Sequence, residues 1–191
     1  MEIKAARKLT DSRHLNLFEI TYTNRRDEES LWTIASRESQ PKCMTGRYDP
    51  PDAVVIVPFH NVMEKLVIIK EFRVPIGGFQ YGFPAGLVDP GETIEQAVKR
   101  ELKEETGLDL LNILKISPPV YSSSGMTDES VSMVYVDCNG VPSAEGNEVS
   151  ELIETLFITP EEAGLLCGNS DVKVDVKTWL VINAFSESRK I

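Results

Sequence analysis

The sequence predicts an α/β protein with a mixed sheet flanked by helices, an α/β/α sandwich, preceded by an N-terminal antiparallel β-hairpin subdomain. Three observations carry this prediction. Apolar, β-rich runs recur at 53–59, 65–72 and 130–137. Helical periods of suitable length occur at 93–106 and 174–185. The two kinds of element mix without a strict βαβ rhythm, which favours a mixed sheet over a parallel one.

The N-terminal part predicts a hairpin of its own. Residues 14–23 alternate loosely between apolar and polar side chains, as a half-buried strand does. A polar run, NRRDEES, then suits a turn, and LWTIASRE follows as the partner strand. The proline-rich segment 40–52 predicts a connector. We therefore expect an N-terminal β subdomain over 1–48, of a kind that forms dimers, and the main domain over 49–191.

The middle of the chain predicts a hairpin, a turning segment and a helix, in that order. AVVIVPF and KLVIIKEF, at 53–59 and 65–72, form the hairpin. The Gly- and Pro-rich stretch that follows brings backbone groups close to their neighbours. A capping box beginning at Thr93 predicts the helix start, and Gly107 predicts its end.

The rest of the chain predicts three strands and two helices. The strands fall at 110–117, 130–137 and 152–158, where apolar and β-branched residues concentrate. Pro160 opens a short helix, and 174–185 has the period and length of a final helix.

Charge and cysteine usage exclude several function classes. The 191 residues carry a net charge of -10, which argues against nucleic acid or an anionic membrane as a partner. The three cysteines lie far apart and match neither a disulfide framework nor a zinc-type spacing. The N-terminal sequence MEIKAARKLT lacks an apolar stretch, so we expect a soluble, cytoplasmic protein.

The helix at 93–106 carries carboxylates where apolar residues belong. At about 100° per residue, Glu101 and Glu105 continue the stripe formed by Ile94, Ala97 and Val98. Inward carboxylates need cations or donors around them. A second acidic cluster, six Glu without Lys or Arg, follows over 145–162. The two clusters predict a site for Mg²⁺ or Mn²⁺, with metal-assisted attack of water on a phosphate ester or anhydride.

The stretch GLVDPGETIEQAVKRELKEETGL, residues 86–108, resembles a complete Nudix box at every fixed position. The Nudix family hydrolyses nucleoside diphosphates linked to another moiety, and its box is a loop-helix-loop that aims glutamates at metals on a pyrophosphate. The resemblance implies metal ligands and supporting residues. The implied ligands are Glu101, Glu105, the carbonyl of Ala85, and Glu104 close by as a ligand or catalytic carboxylate. The implied supporting residues are Gly86, Glu92, Arg100 and Gly107.

The flanks are similar to the ADP-ribose, or ADP-sugar, pyrophosphatases within that family. The similar segments are EFRVPIGG (71–78), FPAGL (83–87), SGMTDE (124–129), ELIE (151–154) and DVKT (175–178). In those enzymes the N-terminal strands exchange across a homodimer, and a Trp-x-x-x-x-Arg segment holds the nucleotide. Trp32 and Arg37 match that spacing, and Arg73 is a second candidate for the diphosphate. The resemblance therefore implies a nucleoside diphosphate sugar as substrate and a domain-swapped homodimer.

Several assignments stay open at this point. The general base is Glu151 first, which matches the family's loop position, and Glu129 second. Many relatives have Glu where this chain has Gly82, so the nucleotide base could differ, and His14 or a neighbour replaces a second aromatic residue. Three functions are therefore compared: an ADP-ribose pyrophosphatase, a pyrophosphatase for GDP- or UDP-sugars, and a non-catalytic ADP-ribose-binding module. The intact box disfavours the third.

Overall fold

The computed structural model describes residues 1–188, which form eleven β-strands and four α-helices. The strands are β1 (Glu2–Lys8), β2 (Asn16–Thr23), β3 (Glu29–Ser36), β4 (Ala53–His60), β5 (Lys65–Arg73), β6 (Gly78–Gly82), β7 (Ala85–Leu87), β8 (Asp109–Ile116), β9 (Val120–Tyr121), β10 (Ser130–Asn139) and β11 (Ile153–Ile158). The helices are α1 (Lys42–Thr45), α2 (Ile94–Thr106), α3 (Pro160–Gly168) and α4 (Val176–Ser188).

The first of two compact units contains Met1–Asp52 together with Pro119–Val131. Its sheet has the order β1-β2-β3, and both pairings are antiparallel. The sequence predicted β2 and β3 but not β1, because EIKAARK is largely charged or small and lacks apolar alternation. This edge strand is set by its pairing with β2 instead. In the same unit, β9 pairs with the first residues of β10.

The second unit contains Ala53–Pro118 and the chain from Ser132 onward. Its main sheet has the order β11-β5-β4-β10-β8, with β6 beside β5 and β7 beside β4. The Gly- and Pro-rich stretch predicted only as turns therefore supplies two short strands. Its turns include a single 3₁₀ turn at Val74–Ile76.

Both faces of this sheet are buried. Val54 and Ile56 pack with Val98 and Leu102 of α2 in one core cluster. The alternate residue Val55 is 4% exposed, so the opposite face is covered as well. Helices α3 and α4 pack on each other and contact β11 and β6 respectively. This arrangement confirms the predicted α/β/α sandwich.

Helix α2 has the ends that the sequence predicted. The Thr93 hydroxyl accepts from the Gln96 amide at 3.2 Å, and the Gln96 side chain accepts from the Thr93 amide at 2.8 Å. Gly107 closes the helix with a φ of 75°, a left-handed conformation that favours glycine. Local chemistry therefore fixes both ends of the helix that carries the box glutamates.

Within residues 1–188, no helix combines the length and the apolar character needed to cross a membrane.

Candidate active site

Helix α2 buries two carboxylates on its core face. Glu101 is 9% exposed and Glu105 is 6% exposed, whereas Lys99 and Lys103 lie on the exposed face. The structure therefore confirms the prediction that Glu101 and Glu105 lie on the inward face of the helix. Two acidic side chains take positions next to Val98 and other core residues where the folding pattern alone would place apolar ones.

Glu105 differs from Glu101 in its polar partner. Its Oε2 accepts a hydrogen bond from the Ala85 amide at 3.0 Å, and no basic side chain within residues 1–188 contacts its carboxylate. Burial raises the pKa of Glu105 to about 9, and repulsion from Glu101, Glu71 and Glu151 adds to the shift. Burial and the neighbouring carboxylates therefore favour the neutral form of Glu105 in the absence of a cation.

Glu101 is packed against backbone. A side chain at Gly86 would overlap its carboxylate, so the glycine at the start of the box makes room for Glu101. Oε1 of Glu101 accepts from Nη1 of Arg100 at 2.6 Å. Burial nevertheless raises the pKa of Glu101, because the desolvation cost outweighs the effect of Arg100.

Arg100 ties the loop before the helix to the helix itself. Its Nε and Nη2 donate to both Glu92 oxygens, at 3.0 and 2.8 Å, and Nη2 also donates to the Leu87 carbonyl at 3.0 Å. The hydrogen bonds between Arg100 and Glu92 raise the pKa of Arg100 and lower the pKa of Glu92. Glu104 accepts from Arg100 at 3.2 Å and is 48% exposed in its side chain. Glu104 is therefore more solvated than Glu101 and Glu105 on the same helix.

Glu71 belongs to this site and was not assigned a role from the sequence. Its side chain is only 14% exposed, and burial raises its pKa. Nη1 of Arg73 contacts it at 3.0 Å, which places this predicted diphosphate-binding arginine beside the acidic cluster. The alternation of side chains along β5 could have identified Glu71, because it lies on the same face as Val67, which packs in the core cluster with α2.

The loop between β10 and β11 brings a further carboxylate. The Glu148 amide donates to Oε2 of Glu151 at 2.8 Å, and the Glu151 amide donates to the Glu148 carbonyl at 2.9 Å. The charge of Glu151 raises the pKa values of Glu71, Glu101 and Glu105. Glu151 therefore acts electrostatically on the helix carboxylates, and their convergence on a shared ion stays a prediction.

The donor set suits a hard divalent cation. Glu71, Glu101, Glu105 and Glu151 offer oxygen atoms alone, the ligand type that Mg²⁺ and Mn²⁺ prefer. Within residues 1–188, no three His, Cys, Asp or Glu side chains gather closely enough to hold an ion by themselves. A cation here would therefore need backbone carbonyl, water or substrate oxygens as well, which is the usual coordination of Mg²⁺.

The first unit holds the other predicted residues, Trp32, Arg37 and Glu129. The Trp32 side chain lines a largely apolar cavity of about 400 Å³ and donates from Nε1 to the Gly125 carbonyl at 3.1 Å. Nε of Arg37 donates to Glu129 at 2.7 Å. The other aromatic residues that line this cavity are Tyr22, Tyr48 and Tyr121. His14 is not among the lining residues.

The model of the NUDIX domain matches residues 49–180. The chain belongs to the Nudix family. A Caenorhabditis elegans protein named as a nudix hydrolase is 34% identical over 143 residues, 71% of this chain and 61% of that protein. The ADP-ribose pyrophosphatase of Saccharomyces cerevisiae is 29% identical over 159 residues, 83% of this chain and 67% of that protein. This Nudix chain thus spans less than two thirds of the nematode protein.

The fold agrees with that family. The crystal structure of an ADP compounds hydrolase superposes on this Nudix chain with a TM-score of 0.71, covering 98% of this chain and 94% of the other. The sequence identity is 19%, so the comparison concerns the fold alone. Within the Nudix box, Gly86, Glu92, Arg100 and the glutamates of α2 form one connected set with the Ala85 backbone.

Proposed function

We propose that the protein catalyses Mg²⁺-dependent hydrolysis of the diphosphate bond of ADP-ribose or a related nucleoside diphosphate sugar, giving a nucleoside monophosphate and a sugar phosphate. The observation that supports this proposal is the set of mutually repelling carboxylates on α2, on β5 and on the loop between β10 and β11. Burial and these neighbours raise the pKa of Glu105 to about 9. The yeast relative, itself named an ADP-ribose pyrophosphatase, supports the choice of substrate.

Mg²⁺, or Mn²⁺ in its place, is the proposed cofactor. Glu101, Glu105 and the Ala85 carbonyl would hold it, with Glu104 close by. Bound there, the cation would neutralise charge on the diphosphate and make its phosphorus more open to attack by water. Ligation also resolves the electrostatic conflict of the site, since a divalent charge favours the ionised form of each buried carboxylate.

The remaining roles belong to side chains of this chain. Glu151 is the proposed general base that takes a proton from the attacking water, because its loop contributes a carboxylate to the cluster. Arg73, about half exposed and paired with Glu71 through one nitrogen, is proposed to bind the diphosphate. Trp32 and Arg37 are proposed to bind the nucleotide, through stacking on the base and through contact with a phosphate.

The decisive experiment is release of AMP from ADP-ribose by the purified protein with Mg²⁺. We expect turnover in the wild type. In Glu105→Gln we expect a loss of more than about a hundredfold, because loss of a direct ligand exceeds the roughly 10–100-fold cost of losing an outer-shell partner. Glu95→Gln is the matched control, since Glu95 is an exposed glutamate of the same helix. Absence of AMP release from the wild type would refute the substrate, and full activity in Glu105→Gln would refute the ligand assignment.

Gly82 motivates the alternative substrates. It lies in β6 opposite Ile69 and offers no carboxylate where many relatives have Glu. A GDP- or UDP-sugar is therefore the second candidate, and kcat/KM values for ADP-ribose, GDP-mannose and UDP-glucose would rank them. A non-catalytic ADP-ribose-binding module is the least favoured alternative, because the box is intact.

A domain-swapped homodimer and a cytoplasmic location stay predictions. The dimer is implied by the resemblance in the N-terminal segment. Size-exclusion chromatography with light scattering would measure the molecular mass of the protein in solution and so test it.

A further inference from the structure

Hydrogen bonds connect two segments of the first unit at several successive residues. One is the end of β3 with the residue after it, and the other is the loop 124–129 that leads into β10. The contacts pair Trp32 with Gly125 at 3.1 Å, Ala35 with Met126 at 2.8 Å, Ser36 with Asp128 at 3.0 Å and Arg37 with Glu129 at 2.7 Å. The two proposed nucleotide-binding residues, Trp32 and Arg37, are therefore both fixed by the same loop.

The ion pair at the end of this series uses only part of the arginine. Nε of Arg37 donates to Oε2 of Glu129, with the two side chains 40% and 29% exposed. Within residues 1–188, neither Nη atom of Arg37 makes a hydrogen bond or ion pair. A guanidinium has five N–H donors, so four stay available to an anion. The contact with Glu129 holds the group in place without occupying its terminal nitrogens.

Glu129 itself lies between two firmly held residues. The Asp128 carboxylate accepts from the Lys42 amide at 2.8 Å, and the Ser130 amide donates to Asp52 at 2.7 Å. Nζ of Lys42, whose side chain is 4% exposed, bonds Asp52 at 2.5 Å and the Ser130 hydroxyl at 2.9 Å. Removing one partner of such a buried pair leaves the other charge buried and unpaired, which is strongly destabilising. The backbone at Glu129 is therefore fixed on both sides.

We propose that Glu129 is a positioning residue for phosphate recognition. Its carboxylate orients the Arg37 guanidinium through Nε, leaving both Nη nitrogens to bind a phosphate of the nucleotide in two parallel hydrogen bonds. The loop beside it also lines the Trp32 cavity with Ser124, Thr127 and Asp128, so one rigid loop supports both the apolar pocket and the arginine. This inference rests on the proposed function only in taking a nucleotide as the ligand.

The role makes a different prediction from that of a general base. A positioning carboxylate needs an oxygen that accepts from Nε, which the amide of Glu129→Gln still supplies and Glu129→Ala does not. A general base needs a group that takes a proton, which both substitutions remove, at a cost of about 10²–10⁴ in kcat. The glutamine variant therefore separates the two roles.

The test is calorimetric titration of the metal-free, full-length protein with AMP and with adenosine. We expect Glu129→Ala to weaken AMP binding about tenfold, the value of roughly one charge-assisted hydrogen bond, and to leave adenosine binding unchanged. Glu129→Gln should stay within about threefold of the wild type for AMP, an effect well below one such bond. Arg37→Ala should weaken AMP binding by as much as the double variant Arg37→Ala, Glu129→Ala, because the two residues act as one unit. Glu19→Ala is the matched control, since Glu19 forms an exposed pair with Arg7 in the same unit.

The outcomes are distinguishable from failure of the proposed function. If the wild type hydrolyses ADP-ribose but Glu129→Ala binds AMP normally, the positioning role is refuted alone. Equal weakening of AMP and adenosine would indicate a general structural role and also refute it. A hundredfold fall in kcat for Glu129→Gln with unchanged AMP binding would make Glu129 the base instead. If the variants behave as expected but the wild type releases no AMP from ADP-ribose, the hydrolytic function fails and the positioning role stands.

Discussion

At the scale of single residues, Glu105 shows how a functional group can oppose the fold that holds it. The side chain occupies a core position on α2, at 6% exposure, with one backbone amide as its donor. A Leu or Met there would bury apolar surface without desolvating a charge. The carboxylate is thus costly for the metal-free fold, and the proposed cation would remove that cost.

This cost predicts a pH-dependent stability difference. Glu105 has a pKa of about 9 in the folded protein, against about 4.3 in an unfolded chain. Because the folded value is the higher one, the stability that the neutral carboxyl provides is fully present below about pH 4.3 and is lost as the pH rises towards 9. In Glu105→Gln that loss is absent. With EDTA present we expect its Tm to exceed that of the wild type at pH 8 by several degrees, at about 2–4 °C per kcal/mol, and the difference to be much smaller near pH 5.

Thermal melts at pH 5 and pH 8, with EDTA and then with excess Mg²⁺, measure this difference. Mg²⁺ should raise the Tm of the wild type and leave Glu105→Gln nearly unchanged, since ligand binding stabilises only the form that binds it. Glu95→Gln is again the control and should follow the wild type throughout. A Tm difference that does not change with pH would show that the ionisation of Glu105 carries no energetic cost.

At the scale of elements, the loop between β10 and β11 is positioned by its contact with α2. The Ser143 amide donates to the Thr106 carbonyl at 3.0 Å. At Gly146, a β-carbon would lie 2.8 Å from the carbonyl oxygen of Glu104 and 2.9 Å from its Cα. The loop backbone thus lies directly on the backbone of the helix at Glu104, between the proposed metal ligands Glu101 and Glu105. We expect this close approach to position Glu151, which lies further along the same loop.

Gly146→Ala should therefore reduce catalysis without unfolding the protein. The added methyl group meets helix backbone, which cannot yield as a flexible side chain would, so the loop has to shift. We expect kcat for ADP-ribose to fall at least about tenfold, since displacement of a reacting group by about 1 Å can cost a hundredfold. The Tm should change little because the loop is exposed. Gly168→Ala, where no atom lies within 4 Å of the new methyl group, is the control. Normal kcat in Gly146→Ala would show that Glu151 does not depend on this contact.

The sequence predicted those features whose causes are local. The ends of α2 depend on Thr93, Gln96 and Gly107, all within or next to the helix, and the inward phase of its glutamates follows from the period alone. The convergence of Arg37 with Glu129 joins residues 92 positions apart, and no local pattern specifies it.

Two features that the sequence did not predict, strand β1 and the role of Glu71, have the same cause. Strand β1 has no apolar alternation, so only its pairing with β2 defines it. The sequence places Glu71 in a motif but does not show that its side chain lies among other carboxylates. Both depend on which elements become neighbours, and tertiary contacts set this more strongly than local propensity.

At the scale of the whole molecule, the first unit is discontinuous in sequence, and this predicts how the chain responds to truncation. Residues 119–131 belong with residues 1–52, and Lys42 forms the buried ion pair with Asp52. A fragment of residues 49–191 keeps Asp52 and Ser130 but loses Lys42, β3 and all their contacts with the loop 124–129. Leaving a buried carboxylate without its cation costs about 3–5 kcal/mol, a large share of the roughly 5–15 kcal/mol that stabilises a domain.

We therefore expect the 49–191 fragment to melt about 6–20 °C below the full chain, at roughly 2–4 °C per kcal/mol, and to be cleaved by protease first within 119–131. Replacing residues 119–131 of that fragment with a short Gly-Ser linker should restore a cooperative transition, because it removes the segment whose partners are missing and leaves the second unit complete. Differential scanning calorimetry and limited proteolysis of the full chain and both fragments provide the comparison. A 49–191 fragment as stable as the full chain would mean that residues 119–131 need nothing from the N-terminal sheet, and that the main domain folds without it.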